Sequence, residues 1–403
     1  MPFALIALMI SAFAIGSTEF ILNGLLTAVA GDLGVTIADA GLLTSGYALG
    51  VVVGAPVLTA AATRLPRKHV LLGLLVLFVV GNLLAAVAPG YGVLMTGRII
   101  SALTHGAFFG VASVVASELV APDRKAGAIA ALFTGLTLAN VLGVPMGTVL
   151  GQHLGWRSVF WGVVVLGVLG MAGVAVLVPN APADPDARLG RELAVFRRPQ
   201  VWIALAMTAC GISGLFISFT YVAPMMTDVT GFAAGSIPWL LVLYGAGLVV
   251  GNLLGGKAAD RAPLRTILIV LALLSAVLVA FTFTAHAKVP AAITLALLGT
   301  VGFATVPALQ SWILKQAEGA PTLASAANIG AFNAGAAVAA WLGGLVIDGG
   351  MGYAALNGVG GLLTGVGLLL AVGVTVAQRR RGAAGAVGRK AQGRGALEAH
   401  GQS

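Results

Sequence analysis

Charge is scarce in this sequence: only 9% of its 403 residues are Asp, Glu, Lys or Arg, against about 25% in an ordinary globular chain. That scarcity excludes a soluble globular domain. Cysteine is nearly absent, and the single Cys210 rules out an internal disulfide and says nothing about redox compartment. No G-x-x-x-x-G-K-S/T run occurs, so nothing suggests a P-loop ATPase. No His, Cys and acid cluster has metal-ligand spacing, and no Ser-His-Asp set is apparent; neither an enzyme nor a metal or cofactor site is expected. Met1–Ala7 carries no positive segment and the apolar run it opens is too long for a cleaved signal, so that run is expected to stay as the first membrane helix.

What is abundant is apolar surface and glycine. The chain is 59% hydrophobic and holds 57 glycines, the composition of an integral membrane protein with closely packed helices. Apolar runs between short polar or Gly/Pro-rich breaks give twelve spans, at about 3–30, 40–62, 70–89, 92–117, 126–151, 158–179, 201–226, 236–257, 266–285, 289–314, 322–347 and 353–377. They are too long and continuous for the alternating strands of a membrane barrel. The expected fold is an all-α membrane protein of two pseudo-symmetric six-helix bundles, 1–178 and 201–377, joined by a cytoplasmic linker at 179–200 and followed by a disordered basic tail at 378–403.

Nineteen of the 22 Lys and Arg residues fall on one set of loops and in the tail; Arg157 and Lys288 lie on the other side, and Arg98 sits inside a span. The positive-inside rule then puts both termini in the cytoplasm. The net charge of +9 is a topology signal, and no nucleic-acid partner is expected.

The two halves repeat. At an offset of 197 residues, Tyr47, Gly50, Val52, Val53, Gly54, Ala61, Ala62, Arg64 and Pro66 fall on Tyr244, Gly247, Val249, Val250, Gly251, Ala258, Ala259, Arg261 and Pro263. Parallel repeats of six helices are a transporter architecture.

The layout resembles the major facilitator superfamily, and within it the twelve-helix drug:proton antiporters. Gly255-Gly256-Lys257-Ala258-Ala259-Asp260-Arg261, followed by Arg265, resembles the superfamily's loop motif between helices eight and nine; in the matching loop after helix two, Thr63 stands where the family has Asp. Arg98 and Gly106 match family residues of helix four, and Gly143-Val144-Pro145-Met146-Gly147 resembles the antiporter motif of helix five. Ser17-Thr18-Glu19-Phe20, Ala40-Gly41-Leu42-Leu43-Thr44-Ser45 and Phe219-Thr220-Tyr221-Val222-Ala223-Pro224 are similar to segments of actinobacterial chloramphenicol-resistance exporters. The resemblance implies alternating access of two halves, with Arg64, Gly143, Pro145, Gly147, Asp260 and Arg261 as conformational-motif residues.

Glu19 is the only acid deep in any span. A charged, unpaired carboxylate there costs roughly 2.5–3.5 kcal/mol, so it must face a partner or a water-filled cavity, or stay protonated. Asn23 and Thr27 continue its face at intervals of four, either toward a cavity or as hydrogen bonds to a neighbouring helix. Arg98 is a candidate partner if spans one and four are neighbours, as the family fold implies; the pair would be a proton-responsive coupling device or a permanent ion pair. His105, seven residues after Arg98, shares its face and would relay protons or simply hydrogen-bond a neighbour. Gly135, Ala139, Gly143, Gly147 and Gly151 form a small-residue face on span five, either a bending interface or tight packing. Asn140, Tyr221, Gln310, Asn328 and Asn333 are further polar residues expected to line a substrate cavity, with apolar contacts from Phe216, Tyr221, Trp312, Phe332 and Trp341.

The expected function is proton-coupled export of a small lipophilic substrate by a monomer in the bacterial plasma membrane, with chloramphenicol favoured on resemblance. The alternatives are an exporter of sugars or other metabolites and, from another class, a non-transporting membrane sensor.

Overall fold

A computed structural model describes residues 3–62, 65–121, 125–180, 194–317 and 321–400; within these, the side chains of 60–62, 125–127, 129, 130, 194, 260, 321, 322 and 380–400 are excluded. Arg64, Thr63 and the Asp260 side chain, all in the loop motifs, therefore lie outside the described residues, as does most of the linker. Arg261 is exposed.

Among the described residues, twelve helices are long and apolar enough to cross a membrane. They are α1 (Phe3–Leu33), α2 (Ile37–Thr59), α3 (Arg67–Ala86), α4 (Tyr91–Glu118), α5 (Ala131–Leu154), α6 (Trp156–Leu177), α7 (Pro199–Thr220), α8 (Ala234–Ala259), α9 (Pro263–Thr284), α10 (Lys288–Gln316), α11 (Leu323–Asp348) and α12 (Gly352–Arg379). No strand occurs among the described residues. A chain this apolar can satisfy its backbone only within each helix once water is excluded.

Three elements differ from the sequence expectation. The seventh span, expected to reach residue 226, leaves helical angles at Tyr221 (φ −106°, ψ 21°) and goes on as a short turn at Val222–Pro224 and a π-helical turn at Met225–Val229. Pro224 has no N–H for the carbonyl of Thr220, and its ring crowds that carbonyl. Span five widens into a π-helical turn at Ala139–Gly143, just before Pro145, which takes the N–H away from the carbonyl of Val141. The last helix continues to His400, so 378–400 is helical where disorder was expected; Ala, Arg, Gln, Lys and Leu are strong helix formers and outweigh the glycines of that stretch.

Helix contacts follow the repeat. In the first half α2 packs on α4, α3 on α4 and α6, and α1 on α5 and α6; in the second half α8 packs on α10, α9 on α10 and α12, and α7 on α11 and α12. Adding six to each label converts one set into the other. The offset of 197 residues holds at atomic detail. A Cβ on Gly54 would collide with the backbone of Leu103, and one on Gly251 with the backbone of Thr300. Gly34 (φ 63°) and Gly231 (φ 74°) take the left-handed conformation at matching turns, as do Gly155 (φ 81°) and Gly352 (φ 77°).

The halves meet through α2 against α11 and α5 against α8, again exchanged by the same relabelling. Ala38, Gly41, Ser45 and Ala48 form one stripe of α2, at helical spacing. Ala38 faces Gly344, Ser45 Oγ donates to the carbonyl of Ala337 at 2.9 Å, and Ala48 packs on Ala336 and Ala337. On the other seam Gly245 abuts Val141, and Gln152 Nε2 donates to the carbonyl of Ala234 at 2.9 Å. These contacts run from mid-helix to the end of the bundle away from the termini, termed the distal end.

Candidate functional site

Glu19 lies mid-way along α1, with its side chain 13% exposed. Its carboxylate oxygen Oε2 stands 3.9 Å from Nε2 of His105 on α4. The other ring nitrogen, Nδ1, is 3.2 Å from the hydroxyl of Tyr47 on α2, and the ring packs on Phe109. Carboxyl, imidazole and phenol thus form a chain across α1, α4 and α2. The two attract as ions only while the imidazole is protonated and the carboxyl is not, so both members of this contact can take up or release a proton.

The expected pairing of Glu19 with Arg98 takes a different form. Arg98 is fully buried. Its guanidinium donates to the backbone carbonyls of Thr18 and Glu19, the latter at 3.2 Å, and lies 4.2 Å from the centre of the Tyr47 ring. Helical carbonyls keep a lone pair free for such a donor, and a desolvated cation over an aromatic face gains about 2 kcal/mol. Arg98 therefore grips the main chain of α1 beside Glu19, and its charge still bears on the Glu19 carboxyl. Thr18 also holds α1 to α3 by donating to Asn82 Oδ1 at 2.6 Å.

The next residue reaches the other half. Phe20 stacks on Phe216 of α7, ring centroids 6.1 Å apart and planes 8° apart, and meets Phe219 edge-on. Phe219 in turn stacks on Tyr244 of α8 at 4.3 Å. Phe20 and Phe216 both remain partly exposed.

The other residues singled out from sequence divide into groups. Asn23 and Asn140 are buried; Asn140 Nδ2 donates to the carbonyl of Leu136 from within the π-helical turn. Thr27 is exposed. Gly143 and Gly147 abut Ser17 and Ile21, so the small-residue face of α5 receives α1 of the same half rather than the opposite bundle; Pro145 is buried beside it. Tyr221 is a packing residue of the seam: its ring fills the notch left by Gly41 and Gly343, and its hydroxyl donates to the carbonyl of Ala340 at 2.8 Å. Gln310 and Asn328 spend their amides on each other. Asn328 accepts from Thr208 and donates to Gln310, which donates to Ser325, each at 2.7 Å. The buried Asn333 donates to the carbonyl of Ile329 at 3.0 Å. Trp312 is buried in an apolar cluster, and Trp341 is half exposed.

Tyr47 and Phe20 were not among the site residues expected from sequence. Tyr47 was visible only as a repeat identity with Tyr244, and Phe20 only as the last residue of the Ser17–Phe20 segment. Among the described residues no group of His, Cys, Asp and Glu is placed to hold a metal ion.

A bundle of twelve apolar helices in two matched sixes, with an ionisable chain inside one of them, is the architecture of a secondary transporter. The model of the Major Facilitator Superfamily matches residues 8–331, and the chain belongs to that family. It is 43% identical to the inner membrane transport protein YdhP of Escherichia coli K12 over 91% of this chain and 95% of that protein. It is 40% identical to the uncharacterized MFS-type transporter YtbD of Bacillus subtilis, over 92% and 94%, and 36% identical to a chloramphenicol resistance protein of Streptomyces lividans, over 94% and 96%. The protein is a multi-pass membrane transporter.

Proposed function

We propose that this transporter exports a small lipophilic compound in exchange for protons, working as a monomer with both termini in the cytoplasm. The observation that carries the reading is the Glu19–His105–Tyr47 chain, centred on the one acid deep in a described span. With Glu19 ionised, its charge is drawn toward the buried Arg98 guanidinium and α1 is held to α4. A proton delivered to Glu19 removes that attraction, while Arg98 keeps its hold on the adjacent carbonyls. Phe20 moves with the same turn of α1, so a change in the first half alters the aromatic contact with the second. Alternating access follows when the distal seams part and the opposite end closes. Nineteen of 22 basic residues on the terminus-bearing side support the orientation.

Chloramphenicol is the favoured substrate, on the name of the Streptomyces relative and the likeness of the segments around Glu19 and Tyr221. The test has two parts. A host deleted for its exporters and carrying this gene should gain resistance to amphenicols in a growth panel. Proteoliposomes should show proton movement on adding the drug; no proton movement with any compound of the panel would remove the antiport reading.

A further inference from the structure

Asn23 of α1 and Thr220 of α7 occupy the same place in the two halves, at the repeat offset of 197 residues. Phe20, three residues before Asn23, packs on Phe216 and Phe219. Leu26, three residues after Asn23, shares an apolar cluster with Ile217 and Tyr221. At about 100° per residue, Asn23 lies between Phe20 and Leu26 on the face that α1 turns to α7. Thr220 is bracketed in the same way by those four residues of α7. The amide and the hydroxyl therefore face the central contact between the halves, one from each.

Both side chains are buried, Asn23 at 1% exposure and Thr220 at 0%. Asn23 Oδ1 and Nδ2 and Thr220 Oγ1 have no hydrogen-bond partner. Polar groups close by are satisfied: Ser218 donates to Asn357, Tyr221 to the carbonyl of Ala340 and Ser45 to that of Ala337. Thr208, earlier on α7, donates to the carbonyl four residues back and to Asn328, the first being the usual recourse of a helical threonine. A buried donor or acceptor left unmade costs its full desolvation, whereas an apolar group of the same shape in its place is neutral or stabilising. The contacts around the pair favour closure of the distal end: Phe20 on Phe216, and the Leu26–Tyr221 cluster, which extends to Ala40 and Val346. The unmade bonds oppose closure, because parting of α1 from α7 lets water reach all three atoms.

We propose that Asn23 and Thr220 are positioning residues for transport. Their unmade hydrogen bonds weaken the distally closed state and keep it in exchange with the distally open one. The proposal rests on the alternating access of the proposed function, and not on the proton chain or the identity of the substrate. Each tenfold of bias toward one state lowers the share of the other by nearly as much, so a carrier relieved of this cost should stall closed.

In a Cys210→Ser background, spin labels at Val35 and Ala233, on distal turns of opposite halves, report the closed-to-open ratio at a pH where both states are populated. Asn23→Leu and Thr220→Val keep the bulk of the side chains and remove the unpartnered atoms. Each should raise that ratio about fivefold or more, melt no lower than the parent, and slow efflux at saturating substrate. Thr220→Val decides alone if Asn23→Leu fails to fold. The control Thr375→Val removes a hydroxyl already bonded to the carbonyl of Ala371 on α12 and should leave the ratio unchanged. The proposal is overturned if the ratio stays constant in the folded variants, if it falls, as it would were a trapped water already serving these atoms in the closed state, or if the control raises it equally. A parent with one distal distance at every pH, with and without substrate, would overturn alternating access itself and the proposal with it.

Discussion

Phe20 of the first half lies flat against Phe216 of the second, ring centroids 6.1 Å apart, and the peptide bond before Phe20 joins it to Glu19. The proton-responsive residue and the contact between halves therefore share one turn of α1. A stacked aromatic pair contributes about 0.5–1.5 kcal/mol beyond its buried area. Phe20→Ala should shift the balance toward the distally open state by roughly two- to tenfold. Spin labels at Val35 and Ala233, on distal turns of opposite halves, would report it as a larger share of long distances. An unchanged distribution would show that the stack carries no such energy.

Glu19→Gln keeps the shape of the side chain and removes its titration. It should abolish efflux driven by a pH gradient while leaving substrate–substrate exchange in proteoliposomes. Glu19→Asp, one methylene shorter, widens the 3.9 Å gap to His105 and should stay coupled at a lower rate. Full gradient-driven efflux by Glu19→Gln would end the assigned role of the carboxyl.

The distal seam can be locked. The Cβ of Ala38 lies 3.4 Å from where a Cβ on Gly344 would stand, close to the separation a disulfide needs. In a Cys210→Ser background, Ala38→Cys/Gly344→Cys should crosslink on oxidation, stop transport, and recover on reduction. Mobility on a non-reducing gel together with uptake before and after reductant checks it.

The repeat predicts paired costs. Gly54→Val and Gly251→Val each force a side chain into the backbone of the facing helix and should destabilise by about 1–3 kcal/mol or more. Gly110→Val, where a Cβ meets nothing within 4 Å, should cost far less. Thermal unfolding in detergent would show the first two shifted alike and the third barely moved.

The twelve spans were legible because hydropathy alone specifies a membrane helix, and Glu19 was legible because a carboxyl in such a run is anomalous. The spatial neighbours were not. The run 47–68 revealed the duplication, but the turns at Gly34 and Gly231 lie outside it, and only their shared positive φ ties them to the same offset. Gln310 and Asn328 were read as cavity residues because an amide within a span needs a partner; the structure gives each the other, a choice one sequence cannot express. Arg98 was legible as a neighbour of Glu19; that its donors go to two carbonyls of α1 was not, because a buried guanidinium has five donors and one sequence does not show which acceptors face it. Pro145 was legible as a break, the π-helical form of that break was not.

The two faces of α2 have a mechanical consequence. On one face, Gly50 and Gly54 bring its backbone against that of α4, with no long side chain between them to bend or change rotamer. On the other, Ala38, Ser45 and Ala48 meet α11. A joint of backbone on backbone has almost no play, so α2 and α4 must travel as one beam. A shift felt at His105 on α4 is then delivered without slack to the seam at Ala337, and the stiffness of that beam sets how much of the force generated inside one half reaches the other.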